Sequence, residues 1–485
     1  MKIGAYSPRF CMGRSDYQRM KTNEGWEPHL ALARHSPSTG RALDSKEKIG
    51  GVGMQENRFT KHSRLLSISV RLGFFLALGI LTVLLPISLV SGASPFLDSV
   101  DQPESSTDAP EIGWNALPHW GLNARVRAIV LAGDSLYMGG KFTQTFDGLV
   151  TNLDHVTRYN ILDRTWNVLP NQGLNAEVIA LAVVETDLYA GGVFTQTVDA
   201  AVTNLGNVAH YDPAGGNWNA LPNHGLNNQI FALAAVGDDL YVGGLFTQSG
   251  DGTVTNLNHI ARFDTLAGTW QALPHQGLNG NIYVLETAGN DVYAGGGFSQ
   301  TGDGTVTNLG SIARYDSATG TWHALSNQGL DGTVNAILVS GSDVYVGGYF
   351  TQTGDGAVTN LNHIARYDTL SEIWHALPNQ GLNDGVFAFS VLDDDIYVGG
   401  AFDQSSDGTV TNLGNIARYD TLSETWQALP NQGLDSWVYE LVPVGSDLYM
   451  GGEFNNSGDK VVPFLRGIAR FGETDSKLYL PLVIK

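Results

Sequence analysis

Tryptophan recurs along this chain at a fixed step of 52 residues, at Trp114, Trp166, Trp218, Trp270, Trp322, Trp374 and Trp426. Glycine pairs keep the same step, from Gly139-Gly140 through Gly347-Gly348 to Gly451-Gly452. So do the aromatics Tyr159, Tyr211, Phe263, Tyr315, Tyr367, Tyr419 and Phe471. No insertion breaks the register in seven units. Such a period means one structural module per repeat, each stacked on its neighbours in an equivalent position.

The unit reads as four short strands. In one copy, strand a covers residues 334–339, b 343–350, c 363–368 and d 373–377. The a–b turn (Ser340-Gly341-Ser342) and the c–d turn (Thr369-Leu370-Ser371-Glu372) are short and polar, as hairpins require. No stretch holds a helical period. Four antiparallel strands repeated radially predict an all-β, seven-bladed β-propeller. The first element is a d strand (residues 114–117) and the last is a c strand ending at Arg470-Phe471. The N-terminal strand is therefore predicted to complete the seventh blade and close the ring, which removes open sheet edges.

The order apolar-Tyr-apolar-Gly-Gly, a loop, Arg-Tyr-Asp, a short turn and Trp-x-x-Leu-Pro resembles the Kelch motif across residues 114–471. The long b–c loop (residues 351–362) and the Gly-Leu-Asn segment after strand d are more similar to repeats of bacterial extracellular propellers than to eukaryotic Kelch adaptors. The resemblance implies an extracellular or cell-surface bacterial protein and carries over no ubiquitin-ligase role. Galactose oxidase also uses Kelch-like blades, but its crosslinked cofactor requires a cysteine. Here the lone Cys11 lies outside the repeats.

The flanks read differently. Residues 72–90 are apolar and uncharged, preceded by Lys61, Arg64 and Arg71 and followed by Ser91-Gly92-Ala93. This is the grammar of a secretory signal within residues 54–93, cleaved after Ala93 or retained as a membrane anchor. Residues 1–53 lack that character and read as a non-native or disordered extension, with Met54 as the expected true start. Residues 94–113 form a polar linker. Residues 472–485 end in an apolar tail, open between a sorting segment and a strand packed on the propeller flank. The tail is similar to those of exported proteins of filamentous green bacteria.

Charge excludes one class of partner. Residues 1–93 hold 13 Lys+Arg and 6 Asp+Glu, so of the chain totals of 27 and 48 the remainder keeps 14 and 42, a net of −28. A surface this acidic repels phosphate backbones, so no nucleic-acid partner is expected. Membrane contact is expected only through residues 72–90, and the protein is expected to be monomeric.

Alternating strand direction puts the long b–c and d–a loops on one face, where a rigid scaffold presents binding residues. One acid recurs there per blade: Asp147, Asp199, Asp251, Asp303, Asp355, Asp407 and Asp459. With the Gly that usually follows and a later Asn (Asn256, Asn308, Asn360, Asn412), it reads as an Asp-Gly turn with the Asn bonding loop backbone. A sharper reading makes Asp251, Asp303, Asp355 and Asp407 Ca²⁺ ligands, although the spacing fits no familiar calcium loop. Trp120 and Trp437 stand outside the tryptophan series, open between ring-closure packing and stacking on a ligand. The strand-c arginines (Arg158, Arg262, Arg314, Arg366, Arg418, Arg470, with His210 once) read as intra-blade ion pairs or as bonds to carbonyls. His155, His259 and His363 are spread around the ring and cannot share a metal.

No catalytic constellation is visible, and identical repeats work against the convergence of unlike residues that catalysis needs. The expectation is a secreted or surface-attached binding or scaffold propeller, recognising protein or glycan through its long-loop face. The alternatives are a polysaccharide hydrolase or lyase with a central-channel site, and a structural cell-surface component.

Overall fold

The computed structural model describes residues 111–475. The expectations for the extension, leader, most of the linker and the apolar tail lie outside the described residues. Among those described, no helix is long and apolar enough to cross a membrane.

The described chain forms seven four-stranded antiparallel sheets, each ordered a-b-c-d. In blade 5 these strands are Thr333–Ser340, Asp343–Tyr349, Ile364–Asp368 and Ile373–Ala376. The a strands of neighbouring blades pack together all the way round, blade 7 on blade 1 included, so they are innermost and the d strands form the rim. Blade 7 takes its a, b and c strands from Val438–Val444, Asp447–Gly452 and Ile468–Glu473. Its d strand is Ile112–Ala116 from the other end of the chain, with Trp114 opposite Phe471. The expected closure is the observed one.

The repeated residues explain themselves through packing. The c-strand aromatic faces its d-strand tryptophan across the ladder, as Tyr367 faces Trp374 with ring centroids 4.8 Å apart. The Gly-Gly pair is a close-approach site. A Cβ on Gly347 would lie 2.4 Å from Val386 Cγ1 of the next blade, and one on Gly348 would lie 2.1 Å from the Thr333 carbonyl. Blades can approach this closely only where side chains are absent.

Two features were not legible as strand patterns. Every a–b ladder skips one residue of strand a, so each inner strand carries a β-bulge near its start. After each d strand comes a tight turn in which the residue after Pro (Ser in one copy) has positive φ, as Asn379 does at 56° and His275 at 61°. This d–a segment bridges to the b–c loop of the following blade, as Leu330 pairs with Thr353. The two long loop sets therefore share a face, as expected.

Candidate functional site

The long-loop face has an outer ring of latches and an inner mouth around the axis. In each latch the repeated Asp accepts from its own loop and from the preceding d–a turn. Asp407 Oδ1 takes Ser405 Oγ at 2.7 Å, Thr409 N at 3.0 Å and Thr409 Oγ1 at 2.6 Å, while Oδ2 takes Asn379 Nδ2 at 3.3 Å. The same bond joins Asn223 to Asp251, Asn327 to Asp355 and Asn431 to Asp459, with His119 and His275 replacing Asn for Asp147 and Asp303. The Thr409 hydroxyl and amide bonds hold the Asp407 carboxyl down at about 2. Asp251 and Asp303 are lowered in the same way by Thr253 and Thr305. These surroundings are N–H and O–H donors, whereas Ca²⁺ needs converging oxygen acceptors. Among the described residues no three His, Cys, Asp or Glu side chains gather closely enough to hold a metal. The side chain that reaches each acid is the d–a residue, Asn or His; Asn256, Asn308, Asn360 and Asn412 take left-handed φ of 62° or 63°.

Arg262, Arg314, Arg366, Arg418, Arg470 and His210 pair with the acid at the start of strand b. Arg158, expected to do the same, has Ser135 there, and its buried Nε has no hydrogen-bond partner among the described residues. Arg314 Nη1 lies 2.9 Å from Asp291 Oδ2, Arg470 Nη1 2.8 Å from Asp447 Oδ2, and His210 Nε2 2.8 Å from Asp187 Oδ2. His155, His259 and His363 each face a strand-b glycine carbonyl of their own blade, at 3.1 to 3.2 Å. Desolvation lowers His155 and His259, which favours neutral rings.

The inner mouth is where the repeats differ. The bulge residue of strand a is Arg127, Ile179, Phe231, Tyr283, Asn335, Phe387 and Tyr439 in blades 1 to 7. These residues belong to the innermost strands and circle the axis, and several of them touch across blades. Phe231 meets Tyr283 at 5.6 Å, Phe387 meets Tyr439 at 5.9 Å, and the Arg127 guanidinium lies 4.1 Å over the Tyr439 ring. Trp437 joins this arc, 6.0 Å from Phe387, and Tyr349 closes its other end, 5.9 Å from Phe387. A Cβ on Gly385 would fall 2.6 Å from the Tyr349 ring, so that glycine makes room for it.

Beside the aromatic arc is a charged sector. Arg125 donates from Nε and Nη2 to both oxygens of Glu177 at 2.6 and 2.8 Å, and from Nη1 to Glu453 at 2.9 Å. These bonds tie blade 1 to blades 2 and 7 and hold the guanidinium firmly charged. Burial opposes ionisation of Glu177, but the Arg125 bonds outweigh it and lower its carboxyl.

Further along strand a, towards the short-turn face, two acids interrupt an apolar wall. Glu440 occupies the position filled by Ala128, Ala180, Ala232, Val284, Ala336 and Ala388; Glu286 occupies that of Val130, Ala182, Ala234, Leu338, Ser390 and Val442. Both are half-buried. Desolvation raises Glu286 to about 7 and Glu440 to about 8, and the charge of Glu286 raises Glu440 further. Blades 4 and 7 lie on opposite sides of the ring, so this repulsion acts across the channel.

Of the three tryptophans outside the series, Trp120 and Trp437 are among the described residues, and they separate. Trp437 belongs to the axial arc. Trp120 lies at the seam of blades 7 and 1, stacked on Phe464 at 5.3 Å and 6.4 Å from Phe146. Sequence reasoning missed Phe387, Tyr439, Glu286 and Glu440 because it read what the repeats share. Column-by-column departures from the repeat were the signal that marks them.

No protein-family model matches the chain. Polarized growth protein rax2 of Schizosaccharomyces pombe is 30% identical over 162 residues, which cover 31% of this chain and 13% of that protein. Kelch-like protein terF of Aspergillus terreus is 27% identical over 188 residues, 34% of this chain and 38% of the relative. Polarized growth protein L1 of Phoma sp. is 34% identical over 99 residues, 20% and 7%. The match thus spans well under half the length of each of these relatives. The crystal structure of the computationally designed Ika8 protein overlays 74% of this chain and 98% of its own, at a TM-score of 0.44 and 17% identity, too distant to add to the fold. Seven four-stranded blades make the described chain a seven-bladed β-propeller, and part of it is similar to a Kelch-like protein. The relatives are fungal, and they lend no support to the bacterial origin expected from the repeat style or to the tail resemblance.

Proposed function

We propose that this propeller is a binding or scaffold module that engages a protein or glycan partner at the axial mouth of its long-loop face. The carrying observation is the arc of unlike aromatics, Tyr349, Phe387, Trp437 and Tyr439, on a ring otherwise built from repeated residues. Rigid half-buried aromatics present large contact area at little entropic cost, which is what recognition surfaces use. Two relatives named for polarised growth fit a contact role at the cell surface, and the apolar leader fits export to it. Binding of the full chain to arrays of glycans and immobilised peptides tests this reading. Saturable binding without release of reducing ends supports it, and release of reducing ends from a bound glycan counts against it.

One observation favours the enzymatic alternative. Glu286 and Glu440 are two carboxyls poised near neutrality in one channel, the pairing that acid–base hydrolysis of a glycosidic bond employs. Their position within an otherwise apolar wall on the innermost strands favours the binding reading, because a polysaccharide must enter the channel to reach them. Loss of any reducing-end release in Glu440→Gln is the outcome that this alternative requires.

A further inference from the structure

We propose that the seam between blades 7 and 1, on the same long-loop face, binds an acidic polysaccharide, a chain whose sugar rings carry uronate carboxylates. The proposal rests on the reading of this face as the binding face, and it names a ligand class for one sector of it.

Three departures from the repeat converge there. Trp120 stands where the other repeats have Gln172, His224, Gln276, Gln328, Gln380 and Gln432. Phe464 replaces an asparagine present in the six other copies, and Arg466 replaces Gly, Asn or Asp. Phe464 and Arg466 hold positive φ, 66° and 34°, a conformation that suits the asparagine and glycine they replace and strains a bulky side chain. Strain of this kind concentrates at functional sites. Trp120 and Phe146 remain 37% and 36% exposed, enough to offer ring faces to a ligand.

The charge is as localised as the aromatics. Apart from the strand-c arginines and Arg164, the Lys and Arg side chains of the described residues are Arg125, Arg127, Lys141, Lys460 and Arg466, all on blades 7 and 1 in the long-loop half. On a strongly acidic ring these cations are gathered in one sector, which they share with Glu177, Glu453, Asp147 and Asp459. Arg125 and Arg127 are committed to Glu177 and Glu453, and Asp147 is held by His119 at 2.8 Å. Lys141 is exposed and Arg466 half-buried, and neither has a carboxylate partner among the described residues. Arg466 lies 4.0 Å over the Phe146 ring and donates Nη1 to Asn455 Oδ1 at 2.7 Å, while its shielded Nε has no partner among the described residues.

A groove of about 290 Å³ runs between these groups, bordered by Leu122, Asn123, Lys141, Phe146, Glu453 and Arg466. Aromatic faces beside cations that lack a carboxylate partner suit a pyranose ring bearing a carboxylate. The ring's C–H face lies on Trp120 or Phe146, and the carboxylate meets Arg466 or Lys141. An acidic peptide offers the charge without the flat ring.

The test is affinity electrophoresis and calorimetry of the full chain with polygalacturonate, neutral dextran and poly-L-glutamate. Polygalacturonate is expected to bind, weakened at least about tenfold in Trp120→Ala and in Arg466→Gln/Lys141→Gln, and weakened again in about 0.5 M NaCl. Thermal melting confirms that the variants fold; the Arg466 and Lys141 changes remove no core packing. Binding of poly-L-glutamate as tight as that of polygalacturonate overturns the proposal, as does equal binding of dextran. Polygalacturonate binding that falls in Phe387→Ala/Trp437→Ala but not in the seam variants also overturns it, while leaving the wider reading of the face intact.

Discussion

The indole Nε1 of Trp114 donates a 2.8 Å hydrogen bond to the carbonyl oxygen of Pro430, 316 residues later in the chain. Around the ring, each such bond joins a d-strand tryptophan to the d–a turn of the previous blade: Trp166 to Pro118 at 3.0 Å, Trp270 to Pro222 at 3.1 Å and Trp426 to Pro378 at 3.1 Å. The Trp114 bond repeats that relationship across the chain ends and makes the last joint of the circle equivalent to the others. Trp218 departs from the series, its buried Nε1 having no hydrogen-bond partner.

Closure is therefore predicted to be cooperative. Trp114→Ala removes a buried indole and should cost about 3–5 kcal/mol, while Trp114→Phe, which keeps most of the ring packing, should cost about 1 kcal/mol. Removal of residues 94–118 should lower the melting temperature of the whole ring. Differential scanning calorimetry reads all three; a truncation that melts like the intact chain refutes closure by the N-terminal strand.

Inter-blade spacing depends on the first glycine of each pair. Gly347→Ala places a methyl 2.4 Å from Val386 Cγ1, and overpacking of this sort costs about 1–3 kcal/mol. The complementary Val386→Ala opens that contact, so the double variant should recover part of the loss. Additive losses in chemical denaturation would show that the two positions do not meet.

The latches predict a local effect with little global consequence. Asn379→Ala removes the Asn379–Asp407 bond on an exposed loop and should cost about 1 kcal/mol or less. Hydrogen exchange should quicken in residues 405–410, whose Val410 amide bonds Ser405 Oγ at 3.0 Å, and not in the strands of blade 6. Unchanged exchange in the loop would mean that the bond holds nothing in place.

The channel glutamates set a pH dependence whose sign follows from linkage. Their carboxyls are raised from 4.5 to about 7 and about 8, so over that range the folded state binds more protons than the unfolded one. Their contribution favours folding at low pH and is lost as pH rises from about 4.5 towards 8. Wild-type melting temperature should decline across this window more steeply than that of Glu286→Gln/Glu440→Gln. Parallel profiles would remove the raised carboxyls from the account. The lowered latch carboxyls act oppositely: their stabilisation is present above about 3.8 and is lost as pH falls towards that of Asp407, at about 2.

The ring was legible because Trp, Gly-Gly and Tyr each answer a packing demand that recurs identically in every blade. The shared loop face followed from strand alternation alone. What a repeat cannot reveal is where the circle stops being uniform. The bulge that turns Phe387 and Tyr439 onto the axis arises from a one-residue ladder shift with no composition signature. Glu286 and Glu440 look like surface acids until strand a is known to be innermost. The recurring Asp was found at once, but its partner came from a turn 28 residues earlier, as Asn379 does for Asp407.

The most direct test of the central claim compares the two ends of the ring. Glycan- and peptide-array binding of the full chain is measured for wild type, for Phe387→Ala/Trp437→Ala at the axial mouth, and for Leu370→Ala, an 84% exposed residue of a c–d turn on the opposite face. The account predicts saturable wild-type binding, a loss of about tenfold or more in the mouth variant and none in Leu370→Ala. Equal binding by wild type and the mouth variant, with both folded, would contradict it.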